Sequence, residues 1–173
     1  MSEKPRPLLD SEKEMLRPAF GMRIDYDKVR LSDGHRNHPI PLVALQLPNT
    51  DAITLGNTIY FGGYYHADFS AADIGSKCLL FHEMTHVWQW TVLGRAGFLA
   101  RYLREFAASG FNSGKMYKYR RAGDPAGPEH FWKTRLEAQA DMIRHYARPH
   151  LTGDAAGMQA QAVHLANTHF FGL

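Results

Sequence analysis

Cysteine is almost missing from this 173-residue chain, and that narrows its chemistry. Cys78 stands alone, so neither an internal disulfide nor a thiolate zinc cluster can be built from the sequence. It lies among apolar residues, four before His82, where a small buried side chain is its expected role. Long apolar runs are missing too: nothing approaches the roughly 18 residues of a membrane span. Met1 to Leu9 is polar and carries Pro5 and Pro7, so no apolar signal-peptide core is expected. That leaves synthesis in the cytoplasm, with any export following a route that reads no such peptide. No internal repeat or low-complexity tract is visible. An acidic excess is also lacking: the formal charge is +3, with 45% hydrophobic and 21% charged residues, the balance of an ordinary globular protein.

What charge there is lies unevenly. Arg95, Arg101, Arg104, Lys115, Lys118, Arg120 and Arg121 face only Glu105 in the same stretch. Such a segment can be a solvated helix face followed by a basic loop, or it can meet a nucleic acid, a membrane or an acidic polymer. No recognised nucleic-acid motif accompanies it, so nucleic acid is not the expected partner.

The patterning predicts an α+β protein, one domain over residues 1–173, sheet-rich from 20 to 63 and helical from 70 to 173. A short helix begins at Asp10 and should stop at Pro18. Partial alternation from Arg23 to Leu31 reads as a strand, and Leu42 to Leu47 as a second. Ile53–Leu55 and Asn57–Phe61 form strand-turn-strand or one strand bent at Gly56. Ser70 to Asp73 has the form of a capping box opening a helix that Gly94 stops near Leu93. Further helices are expected over Ala96–Ala108, from Glu129 to just before Pro149, and over Asp154–Phe170.

Chemistry enters on the helix after Asp73. His82 and His86 are four apart, so both imidazoles leave one helix face and can reach one metal ion. Glu83 points about 100° around the helix, near such an ion but not on it, where a base takes a proton from water. About 0.02 matches to this spacing are expected by chance in this composition. A catalytic zinc needs a third protein ligand, and without spare thiols it must be carboxylate or histidine. Glu137 is the best candidate, on a separate helix, with Asp141 one turn further placed to orient a ligating histidine. Ala138 and Ala140 would let the two helices approach closely. Arg135 and Arg144 could instead pair with a merely solvated acidic face. His66, His130, His145 and His150 are rival ligands, His145 foremost.

His82-Glu83-Met84-Thr85-His86 with Glu137 and Asp141 resembles the gluzincin pattern of zinc metallopeptidases. That resemblance implies a zincin-like fold, Zn2+ held by His82, His86 and Glu137, Glu83 as general base, and Asp141 behind the ligands. Ile53–Phe61 and Phe81–Gln89 are also similar to small bacterial metallopeptidase domains found beside Rhs, Vgr and other toxin or secretion genes. This implies an exported effector or processing enzyme acting on a peptide or protein, with a secretion-apparatus or toxin protein as partner. A zinc-binding adaptor or chaperone and a cell-wall amidase are the competing readings. Arg144, His145 and Tyr146, or Tyr117 and Tyr119 in the loop, are candidate oxyanion donors. Asn57–Phe61 is the expected edge strand for an extended substrate.

Overall fold

The computed structural model describes residues 4–34 and 51–173, so the strand expected over Leu42–Leu47 lies outside the described residues. Arg6–Pro7 (β1), Arg30–Asp33 (β2), Ala52–Leu55 (β3) and Thr58–Phe61 (β4) form one mixed sheet in the order β1-β2-β4-β3. β1 and β2 are antiparallel, β2 and β4 parallel, and β3 and β4 antiparallel. The hairpin between β3 and β4 turns at Gly56, whose φ of 62° suits glycine. The strand expected from Arg23 is shorter than its alternation suggests. Tyr26–Lys28 is a 3₁₀ turn, and pairing begins only at Arg30.

Register decides what faces inward. Leu31, Ile59 and Thr54 stand opposite one another in a row across three strands, and all three are buried. A threonine in that otherwise apolar row needs a polar partner beneath it. β4 is flanked on both sides, so it is not the edge strand expected from sequence; among the described residues β1 and β3 lie at the edges.

Asp10–Phe20 (α1) runs through Pro18 and ends at Gly21, with φ 53°. A proline this late in a helix removes a single bond near the end, which does not stop the chain. Glu12 on α1 is fully buried and fully used. It accepts from Arg6 at 2.7 and 2.8 Å, from the Leu9 amide at 2.8 Å and from the Phe69 amide at 2.8 Å. One carboxylate thus fastens β1 and α1 to the approach of the central helix.

That helix, Ile74–Ala108 (α2), is capped by Asp73, whose carboxylate accepts from the Gly75 and Ser76 amides at 2.8 and 3.0 Å. The cap is therefore Asp73 itself. Ser70 belongs to a preceding 3₁₀ turn, Phe69–Ala71, capped by Asp68. Cys78 to Gln89 is buried on every side, as a helix between sheet and helices requires. Gly94 (φ 66°, ψ 170°) breaks α2, so the chain leaves it in a new direction.

Ser113–Met116 (α3) is a single turn inside the long connection. Leu136–Thr152 (α4) packs on α2, with Ala138 and Ala140 fully buried. Its start lies later than the predicted Glu129. Residues 129–135 instead form a bend and a 3₁₀ turn, Phe131–Lys133, and the Leu136 amide donates to Glu105 at 2.8 Å. Pro149 sits inside its last turn, closed by Gly153 at φ 71°. Ala155–Leu165 (α5), capped by Asp154, packs on α4. The chain then closes with a 3₁₀ turn whose Phe170 lies within 5.8 Å of the rings of Phe20, Trp88 and Phe131. The result is α+β, a small mixed sheet with a mostly helical remainder. No helix among the described residues is long and apolar enough to cross a membrane.

Candidate metal centre

The buried stretch of α2 presents His82 and His86 to the first turn of α4, which carries Glu137. Three atoms meet there: His82 Nε2, His86 Nε2 and Glu137 Oε2, each 3.2 Å from the other two. All three residues are buried, and they are the metal-capable cluster among the described residues. Ligands at about 2.0–2.1 Å from a tetrahedral ion stand about 3.3–3.4 Å apart, so the triangle has the dimensions of a zinc site.

Hydrogen bonds fix which nitrogen faces the centre. His82 Nδ1–H donates to Asp141 at 3.2 Å. For His86 the partner is Gln89, whose Oε1 lies 2.8 Å from Nδ1. The Gln89 amide nitrogen donates to Leu136 O and to Gln139 Oε1, both at 3.0 Å. Gln139 in turn donates to Phe131 O at 3.0 Å. With every amide hydrogen in this chain committed, Gln89 can offer His86 only an oxygen. His86 Nδ1 must carry a proton, which leaves Nε2 as the nitrogen that can face a metal ion. Two imidazole nitrogens and a carboxylate oxygen thus converge on one point, an arrangement that can hold a cation at its centre.

Facing one another, these groups favour their charged forms. Burial opposes charge on His82, but the Asp141 and Glu137 carboxylates outweigh it and push its imidazolium up to about 10. His86 is also raised, burial being overcome by Glu137. Burial likewise opposes ionisation of Glu137, yet the charges and hydrogen bonds of His86 and His82 hold it far below the usual carboxylate range.

Glu83 lies beside this triangle. Thr54 of β3 donates its hydroxyl to Glu83 Oε2 at 2.7 Å, and Trp90 Nε1–H holds the Thr54 carbonyl at 3.2 Å. The polar residue in the sheet's inward row is there for this carboxylate. Two phenols share the space. Tyr117 stacks on His82 with centroids 5.8 Å apart, and burial, then Glu137 and Glu83, keep it protonated far above its usual range. Tyr102 is pushed up to about 12 by burial and the same carboxylates.

The other sequence candidates stand elsewhere. His145 accepts or donates at 2.7 Å with Tyr119, and burial lowers it to about 4. Arg144 and His145 act on Asp141, helping to hold its carboxyl low against burial and behind the His82 hydrogen bond. Tyr146 is not brought to the centre; its ring packs on Phe171 at 4.6 Å. His66 pairs with Ser76 at 2.9 Å, His150 lies against Phe171, and His130 precedes the 3₁₀ turn at Phe131 without a side-chain bond to it. Gln89, Thr54 and Tyr102 were not among the candidates. The available signals were a polar residue one turn beyond His86 inside a buried helix and a threonine in an apolar strand.

Residues 7–92 match the eCIS core domain. That stretch holds His82, Glu83 and His86 and stops short of Glu137. The chain is also 30% identical, over 148 residues and 84% of its length, to the type VI secretion system spike protein VgrG2b of Pseudomonas aeruginosa. It spans 13% of that much longer protein. The solved structure of the effector domain of Pseudomonas aeruginosa VgrG2b is similar to it, with 29% identity and a TM-score of 0.59 over 95% of this chain and 83% of that one.

Proposed function

We propose that this protein is a zinc-dependent peptidase with a zincin-like fold, acting as a secreted effector. The observation that carries the enzymatic reading is the 3.2 Å triangle of two imidazole nitrogens and one carboxylate oxygen, with a held carboxylate beside it. The likeness to the eCIS core domain and to a VgrG2b effector domain supports an association with Rhs/Vgr secretion systems. A secretion-apparatus protein is the partner this implies.

His82, His86 and Glu137 would hold the zinc. A bound zinc ion supplies Lewis acidity, lowering the pKa of a water towards about 7 and polarising a carbonyl. The chain's own groups do the rest. Thr54 occupies Glu83 Oε2, which leaves Oε1 to take the proton from water and pass it to the leaving amine. Asp141 and Gln89 keep both imidazoles turned inward. Tyr117 and Tyr102, held as neutral phenols, are the donors placed to stabilise an oxyanion. β3, at the sheet edge among the described residues and bonded to Glu83 through Thr54, is where an extended peptide would lie.

The test is Glu83→Gln. Purified variant and wild type should contain equal zinc by elemental analysis, while the variant's cleavage of casein or a peptide library falls by about 10²–10⁴-fold. Chelator should abolish wild-type cleavage. Undiminished cleavage by the variant would remove the base, and tight zinc without cleavage of peptides or peptidoglycan would leave a metal-binding adaptor.

A further inference from the structure

Beyond Gly94, α2 carries a face that no part of the described protein covers. Ala96, Leu99, Ala100, Leu103 and Ala107 fall on one side of it, and all are exposed, Leu103 by 63%. Phe111, 72% exposed, continues the strip past the helix end. The opposite side, with Phe98 and Tyr102, turns to the metal centre. An apolar outer face of this length on one helix is more than scattered surface leucines.

Beside the strip lies a cleft of about 460 Å³. Arg104 belongs to both, being next to Leu103 and lining the cleft. Lys118 and Lys133 line it as well, and none of these three cations has a carboxylate partner among the described residues. The two acids present are already engaged. Glu105 is held by Arg101 at 2.7 Å and by the Leu136 amide, and Glu129 by Arg120 and its amide. Trp132 adds an indole, 57% exposed, at the same cleft. Arg104 and Lys118 of the basic stretch, with Lys133, are thus three cations without a carboxylate partner among the described residues, next to an apolar strip and an exposed tryptophan.

We propose that this face docks on an anionic phospholipid bilayer, with the headgroup phosphates at Arg104, Lys118 and Lys133 and the Leu99–Leu103 strip entering the interface. Charge complementarity selects the occupant. Cations flanking an apolar helix face, with an interfacial tryptophan, match a surface that is negative outside and apolar beneath. An exposed helix face also enters fluid lipid without a shaped groove to receive it. A symmetric contact with a second copy would set the same cations against themselves. A nucleic acid would meet the charge but leave the leucines in water.

The experiment is co-sedimentation of the full chain with vesicles of phosphatidylcholine alone and of phosphatidylcholine mixed with phosphatidylglycerol. Its readout needs neither metal nor turnover, so it stands apart from the peptidase reading. Binding is expected only to the mixed vesicles and should weaken with salt. Lys118→Gln/Lys133→Gln should weaken it by roughly thirtyfold, and Leu99→Ser/Leu103→Ser by roughly tenfold or more. Met22→Ser, an exposed apolar residue elsewhere, should leave it unchanged. Equal binding to neutral vesicles, no effect of the leucine pair, or no binding at all would overturn the proposal. So would dimerisation that the leucine pair abolishes, or duplex DNA bound in place of vesicles.

Discussion

The His86 side of the centre is held by an amide where the His82 side is held by a carboxylate. A neutral oxygen orients an imidazole through geometry alone, so its grip depends on the whole chain Gln89–Gln139–Phe131. Gln89→Leu keeps the volume but frees Nδ1, allowing the proton to move to Nε2. Zinc affinity, measured by competition with a chromophoric chelator, should drop by about 10–100-fold. An unchanged affinity would mean that the amide chain supports packing only. At this scale the sequence is readable where chemistry imposes spacing: His82, His86, Glu137 and Asp141 follow helical intervals, and the structure brings all four together. Gln89 and Thr54 carry no such mark, since a lone glutamine or threonine has many solvated uses and only the register reveals its partner.

Among the elements, α2 bears the imidazoles and begins at Asp73. Its carboxylate takes two amides of the first turn and the Ser76 hydroxyl. Asp73→Ala should lower unfolding free energy by about 1 kcal/mol, read from urea midpoints, and leave zinc content unaltered. Loss of zinc would show that the helix start is coupled to the centre. Helix positions were legible because the 3.6-residue period and the breaker at Gly94 are local. The misread boundaries have two causes. Pro18 and Pro149 fall in last turns, where a missing amide costs little, and residues 129–135 are shaped by contacts with Glu105 and His164 that no local pattern encodes. The sheet order was beyond local reading, because the parallel β2–β4 pair joins segments far apart in the chain.

For the molecule as a whole, acid is the condition to which the α4 flank is most exposed. His145 faces Tyr119, Asp141, Arg121, Arg144 and His82, and burial lowers it from 6.5 to about 4. Between those values the unfolded chain binds a proton there that the folded chain refuses, so stability falls as pH drops through that window. His82 acts oppositely: its raised value contributes below 6.5 and is lost as pH climbs towards about 10. In the metal-free protein, denaturant midpoints should therefore decline between roughly pH 6.5 and 4, and less so in His145→Gln. Parallel decline in both proteins would assign the acid sensitivity elsewhere.

The break at Gly94 separates two duties of one helix. Its backbone lies in a region essentially reserved for glycine, although a side chain there would meet nothing within 4 Å. Only this bend returns Phe98 to stack on Trp90 at 4.4 Å and brings Tyr102, stacked on Phe98 at 6.1 Å, within electrostatic reach of Glu137 and Glu83. The imidazoles precede it and do not depend on it. A straightened rod would keep the triangle of His82, His86 and Glu137 and lose the wall that shelters it, so the ligand set and its enclosure can fail independently.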